Sequence, residues 1–308
     1  MSSHTHPPRR ALALLTVATL LAAATACSST SNADETSTDI AAATSSSSPS
    51  GSSTSSPSSP ASASAKARGP RPTVVLVHGA WADTSSWDGV IEQLHGRGYD
   101  VRAIANPLQD LTTDAEYVAD FLGSLTGPVV LVGHSYGGAV ITNAAAGYAN
   151  VEALVYVDAS APDVGEANSS LSGKDSVLNT MRPGQLFEKT PYPGAPPGAA
   201  ELYLRKQVFV EHFGSDLPED VATRLWASQR GASTVAFGTK SRYAAWKEIP
   251  SWYFISSGDQ IITAAAERRM ARRAGADVTV FHGGSHLTLV SHPEAVTEVI
   301  QDAIDSLG

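Results

Sequence analysis

The chain has 308 residues, enough for one large or two small domains, and carries 30 acidic against 21 basic side chains for a net charge of -9. That balance excludes nucleic acid as a partner, because phosphates reward Lys and Arg. Cys27 is the only cysteine, so the residues after it hold no disulfide and no thiolate metal site.

The amino terminus reads as a targeting segment. Arg9 and Arg10 precede an apolar run from Ala11 to Ala24, too short to span a bilayer but of the length of a signal-peptide core. Ala24-Thr25-Ala26 fits a small-residue cleavage site, which sets a signal peptide over 1–26. Cys27 directly after it resembles the acylated cysteine of a bacterial lipobox, and the twin arginine is compatible with Tat export. Residues 27–68 are Ser, Thr, Ala and Pro with almost no apolar bulk, a composition that cannot bury a core. As a flexible tether, about 40 such residues reach roughly 35 Å. The expectation is an exported, cell-envelope lipoprotein, otherwise a secreted protein, touching membrane only through a lipid at Cys27.

From residue 69 on, apolar strands alternate with amphipathic segments, the pattern of an α/β sheet. Thr73 to His78 reads as a strand ending in His78-Gly79-Ala80-Trp81. A helix follows from about Ser85 to His95, and Val101 to Ala105 is a second strand. Thr113 and Glu116 form a capping-box pattern that opens a helix to about Leu125. A third strand runs into Gly133-His134-Ser135-Tyr136-Gly137, and Val151 to Asp158 is a fourth. The alternation lapses over about 161–248, an insertion too long for a plain connection. It contains two amphipathic stretches, Glu201 to Phe213 and Pro218 to Arg230. Then come a strand at Ser251 to Ser256, a helix at Ala264 to Ala274 and a strand at Asp277 to Phe281. A capping box at Ser291 and Glu294 opens the last helix. This is one domain over 69–308 with a helical cap inserted after the fourth strand.

The third strand carries the chemistry. Strand, then G-x-S-x-G, then an Ala-rich helical segment is the context of a nucleophile elbow, with Ser135 on the sharp turn. The bland alternative is a glycine-rich turn whose serine only caps a helix. A serine hydroxyl is a poor nucleophile at neutral pH and needs a base within hydrogen-bond reach. Imidazole fits that role, and a carboxylate fixes the imidazole tautomer.

On these residues the chain resembles the α/β-hydrolase superfamily, closest to the small serine esterases with an H-G-x-W loop, a branch that includes plant methyl-ester esterases and hydroxynitrile lyases. The resemblance covers about 70–308. It implies a mostly parallel sheet flanked by helices with a small helical cap, and a triad in the order serine, acid, histidine. Ser135, Asp259 in Ser257-Gly258-Asp259-Gln260 and His286 in Gly283-Gly284-Ser285-His286 stand in that order after successive strands. Asp158 competes as the acid, and His282 and His292 compete as the base. The resemblance also implies an oxyanion hole from the backbone N–H groups of Ala80 and Tyr136. Trp81 and His134 are placed in the substrate pocket, and His78 supports the oxyanion loop.

The one H-x-x-x-H spacing, His282 to His286, falls on a Gly-Gly-Ser stretch rather than a helical one, and no G-x-G-x-x-G follows a strand, so no metal and no cofactor is expected. The function expected is hydrolysis of a small or medium carboxylic ester through an acyl-enzyme. The alternatives are cofactor-free lyase or perhydrolase chemistry on the same triad, or a weakly catalytic ligand-binding relative. Gly79, where related lyases often carry a polar residue, separates the chain from the lyases.

Overall fold

The computed structural model describes residues 70–308. The signal peptide and tether expected over 1–26 and 27–68, and Cys27 itself, lie outside the described residues. Six parallel strands form the sheet: β1 (Thr73–Val77), β2 (Asp100–Ile104), β3 (Val129–His134), β4 (Val151–Val157), and, after the cap, β8 (Ser251–Ser256) and β9 (Asp277–Phe281). Their order is β2-β1-β3-β4-β8-β9. The central strands read TVVLV and VVLVGH because helices cover both faces, and every residue of β3 is buried.

The helices α1 (Asp88–Gly96), α2 (Leu111–Ser124), α3 (Tyr136–Ala144), α4 (Glu219–Ser228), α5 (Ala264–Ala274) and α6 (Pro293–Asp305) complete the frame, with α4 in the cap. The chain leaves β1 toward β2 on one side and returns to β3 on the other. The strand order therefore reverses between β1 and β3, and a crevice opens at their carboxyl ends. Val77 pairs with Gly133 there, so the loop after β1 and the turn after β3 leave the sheet side by side.

The cap departs from the helical reading. It also holds a small antiparallel sheet of β5 (Phe187–Thr190), β6 (Glu201–Leu204) and β7 (Ala232–Ser233). Glu201 to Leu204 alternates half-buried and buried, a strand period inside what reads as a helical stretch to Phe213. Both capping boxes fall elsewhere too. The α2 cap is Asp110, whose carboxylate accepts from Thr112 N at 2.8 Å, and Thr113 Oγ1 donates to the Asp110 carbonyl. Ser291 ends a separate turn and donates to Asp216, while His292 occupies the N-cap of α6, with Pro293 in its first turn. An aspartate one turn earlier outcompetes threonine for α2, and a proline sets the start of α6 whatever precedes it.

Candidate active site

Ser135 sits between β3 and α3 at φ 54 and ψ -123, a conformation that a side chain rarely adopts. Crowding enforces it. A Cβ on Gly133 would lie 2.6 Å from the Gly137 carbonyl oxygen, and one on Gly137 would collide with the Val77 carbonyl. A Cβ on Gly79 would stand 2.5 Å from Ser135 Cβ. The glycines let three backbones meet, which is why the sequence carries them at these spacings. The strained turn holds the hydroxyl over the amino end of α3.

The chain of hydrogen bonds runs from there into the core. His286 Nε2 lies 2.7 Å from Ser135 Oγ, and His286 Nδ1 lies 2.6 Å from Asp259 Oδ2. Asp259 Oδ1 accepts from the N–H groups of Ile261 at 2.7 Å and Ile262 at 3.1 Å. Three separate segments contribute: the elbow, the turn after β8 and the loop after β9. Burial pulls the His286 pKa down to about 3, so the imidazole is neutral and Nε2 is free to accept a proton.

The rivals from the sequence are placed elsewhere. Asp158, also at positive φ, turns its carboxylate onto Ser256, accepting from the backbone N–H at 2.6 Å and from the hydroxyl at 2.9 Å. His292 lies at the start of α6, its ring 4.8 Å from that of Phe281. The His78 ring, 2.9 Å from the Gly79 carbonyl through Nδ1, accepts from Asn106 N through Nε2 at 3.0 Å, clamping the loop that carries Ala80. Burial lowers its pKa to about 4. Neither the Ala80 nor the Tyr136 N–H has an acceptor among the described residues.

His134 does not line the pocket. As the last residue of β3 it is fully buried, packed against the rings of Trp87 and His286, and its Nε2 donates to the His286 carbonyl at 2.8 Å. Trp81 does line a cavity of about 260 Å³ that opens on Ser135. Its indole donates to the Leu202 carbonyl in the cap at 2.9 Å, and its ring lies against Phe187 and Phe237. Ser160, Asn168 and Asn179 line the same cavity as these aromatics. Phe187 and the polar wall escape sequence reading, since Phe187 opens the four-residue strand β5 and Ser160, Asn168 and Asn179 come from segments too short to show a period.

A second feature escaped it. Asp158, Asp259 and Glu267 bring carboxyl oxygens within 4.8 Å of one another in the core. The expectation of no metal rests on His and Cys spacing, whereas these oxygens come from three elements, with Asp158 about a hundred residues before the other two.

A family model described as "Alpha/beta hydrolase family" matches residues 74–299. The chain is 29% identical over 262 residues to the alpha/beta hydrolase nvfD of Aspergillus novofumigatus (strain IBT 16806), covering 76% of this chain and 96% of that one. It is 30% identical over 254 residues to the pyrethroid hydrolase of Sphingobium wenxiniae (strain DSM 21828 / CGMCC 1.7748 / JZ-1), covering 76% and 88%. The crystal structure of polyneuridine aldehyde esterase superposes with a TM-score of 0.65 at 18% identity, over 76% of this chain and 99% of that one, a likeness of fold.

Proposed function

The chain belongs to the alpha/beta hydrolase family and is an enzyme of the carboxylesterase type, and from that premise we propose that it cleaves a small or medium carboxylic ester through an acyl-enzyme on Ser135. The observation that carries this reading is the unbroken hydrogen-bonded line Ser135–His286–Asp259, with the hydroxyl opening on a cavity.

In the first half-reaction His286 Nε2 takes the Ser135 proton as Oγ attacks the ester carbonyl carbon. The new C–O bond leaves a tetrahedral oxyanion, which the N–H groups of Ala80 and Tyr136 hold. Such fixed donors each contribute roughly 2.7–4 kcal/mol to the barrier reduction. The imidazolium is stabilised by Asp259, then gives its proton to the departing alkoxide, leaving the acyl group on Ser135. Water, deprotonated by the same imidazole, reverses these steps and releases the carboxylic acid.

A cavity of about 260 Å³ with one aromatic wall suits a modest apolar group beside the scissile bond. Gly79 disfavours the lyase alternative, because no side chain fits there beside Ser135. Export and attachment through an acylated Cys27 belong to the proposal as well, with the segment over 27–68 as spacer.

The test is a p-nitrophenyl ester series from acetate to palmitate, run beside Ser135→Ala and a fluorophosphonate probe. Turnover and labelling that both vanish in the variant support the acyl-enzyme. Labelling without turnover on any ester points to the lyase or to a binding role with slow deacylation. A folded sample that is neither labelled nor active overturns the reading.

A further inference from the structure

Glu267 lies in the first turn of α5 with no solvent exposure, and no N–H or O–H donor reaches either of its carboxyl oxygens among the described residues. Its neighbours are two other buried carboxyls, those of Asp158 and Asp259, with oxygens of all three within 4.8 Å. An ionised carboxylate there would have neither water nor a donor, a cost of several kcal/mol. A protonated carboxyl, by contrast, is itself a donor, and carboxyl oxygens of Asp158 and Asp259 lie within 4.8 Å of it.

The donors present rank the three acids. Asp259 faces three N–H groups, from Ile261, Ile262 and His286. Asp158 receives two donors, both from Ser256. Glu267 receives none. Negative charge therefore settles on Asp259, and Glu267 is the first of the trio to carry a proton. Burial holds all three carboxyls well above the usual carboxylate range, and the charges of Asp158 and Asp259 push Glu267 further up.

We propose that Glu267 is a positioning residue of the Ser135 site: it stays in the core as the neutral acid, turns its O–H toward the Asp158–Asp259 pair, and leaves the negative charge of the trio on the two aspartates, that of Asp259 opposite His286. The proposal rests on the reading of Ser135, His286 and Asp259 as a triad. The other groups around the trio fit it. The Tyr253 hydroxyl of β8 donates to the Ala159 carbonyl, and burial keeps it protonated. Arg268, the next residue of α5, opposes the rise at Glu267 without hydrogen-bonding to it, and Asp216 adds to the rise at Asp158. Arg273, one and a half turns on, is taken by Glu166 and the Ala161 carbonyl. No Arg or Lys side chain among the described residues is therefore hydrogen-bonded to the trio.

An O–H donor beside Asp259 spreads its charge. Removing that donor concentrates the charge opposite His286, which raises the pKa of the imidazole. Glu267→Leu is therefore expected to lower kcat/KM at least tenfold and to move the acid limb of its pH profile to higher pH. Glu267→Gln, which keeps a neutral donor, restores most of both. Infrared difference spectra of the whole protein against Glu267→Gln, taken without substrate at neutral pH, should show the C=O stretch of one protonated carboxyl that the variant lacks.

Absence of that band means that Glu267 is ionised, by a bound cation or by water, and overturns the proposal. A folded Glu267→Leu with the wild-type rate and pH profile also overturns it and reduces Glu267 to packing. If Glu267→Leu does not fold, the spectrum of Glu267→Gln still decides. Residual turnover in Ser135→Ala would sink the triad reading instead, whatever the infrared band shows. Loss of turnover there with no band would sink only the role of Glu267.

Discussion

The Tyr136 hydroxyl donates to the Asp114 carboxylate at 2.8 Å, tying the residue after the nucleophile to the first turn of α2. Asp114 is fully buried, and its other oxygen accepts from Gln109 N at 3.2 Å. Burial raises the Asp114 pKa, and the Tyr136 hydroxyl bond is the largest of the influences that pull it back. The pair fixes the Tyr136 side chain, and with it the direction of the backbone N–H proposed for the oxyanion hole. Tyr136→Phe should cost about 1.5–3 kcal/mol of stability, the range for a hydrogen bond to a charged group. It should lower kcat with little change in KM. Urea unfolding beside steady-state kinetics checks both; unchanged stability would mean that the bond contributes nothing in solution.

Gly79→Ala tests the crowding at the elbow. The added Cβ would sit 2.5 Å from Ser135 Cβ and 2.9 Å from the His134 carbonyl oxygen, and neither belongs to a flexible side-chain end. Overpacking of this kind costs about 1–3 kcal/mol, and a misplacement of about 1 Å at a catalytic centre costs around a hundredfold in rate. The expected outcome is a folded protein with kcat/KM down by about two orders of magnitude. An active Gly79→Ala enzyme would show that the elbow can relax.

The two candidate acids can be separated by amide substitution. Asp259→Asn removes the charge from His286 Nδ1 and should lower kcat by about 10,000-fold, the scale seen for that change in serine-protease triads. Asp158→Asn retains acceptor and shape at Ser256 and should cost far less. The reverse order of effects would move the acid to Asp158, the position that the sequence alone leaves open.

The pH profile follows from burial. The base must be neutral to act, so kcat/KM falls as pH drops through the His286 pKa. Burial lowers that value below 6.5, to about 3, and the ionised Asp259 opposes the drop. The acid limb should accordingly lie below pH 6.5, with activity at pH 6 close to that at pH 7. A limb at or above 6.5 would mean that attraction to Asp259 outweighs desolvation.

Cys27→Ala tests the proposed anchor. In a bacterial host the full chain should take up a fatty-acid label and fractionate with membranes, while the variant should do neither. A second acyl chain matters, since a single myristoyl chain binds membrane only marginally. Unlabelled wild-type chain released into the medium would leave a secreted enzyme with an incidental cysteine.

The chain by itself determined the sheet and the elbow. Central parallel strands are buried on both faces, so β1, β3, β4 and β8 appear as near-continuous apolar runs, with Glu152 the exposed exception in β4, and G-x-S-x-G can only join a strand to a helix tightly when its glycines are where they stand. Order along the chain also singled out Ser135, Asp259 and His286 as candidates. What tertiary structure alone decided is which groups meet across long separations. The cap sheet formed because β5 and β6 pair through a hairpin that no apolar run announces. His134 turned from pocket to core because Trp87 and His286 close over it. The Asp158–Asp259–Glu267 trio exists because two strand ends and a helix converge. Strand and helix periods record what is near in sequence, whereas burial of charge depends on neighbours a hundred residues away. That is why the nucleophile was legible in the sequence and its electrostatic surroundings were not.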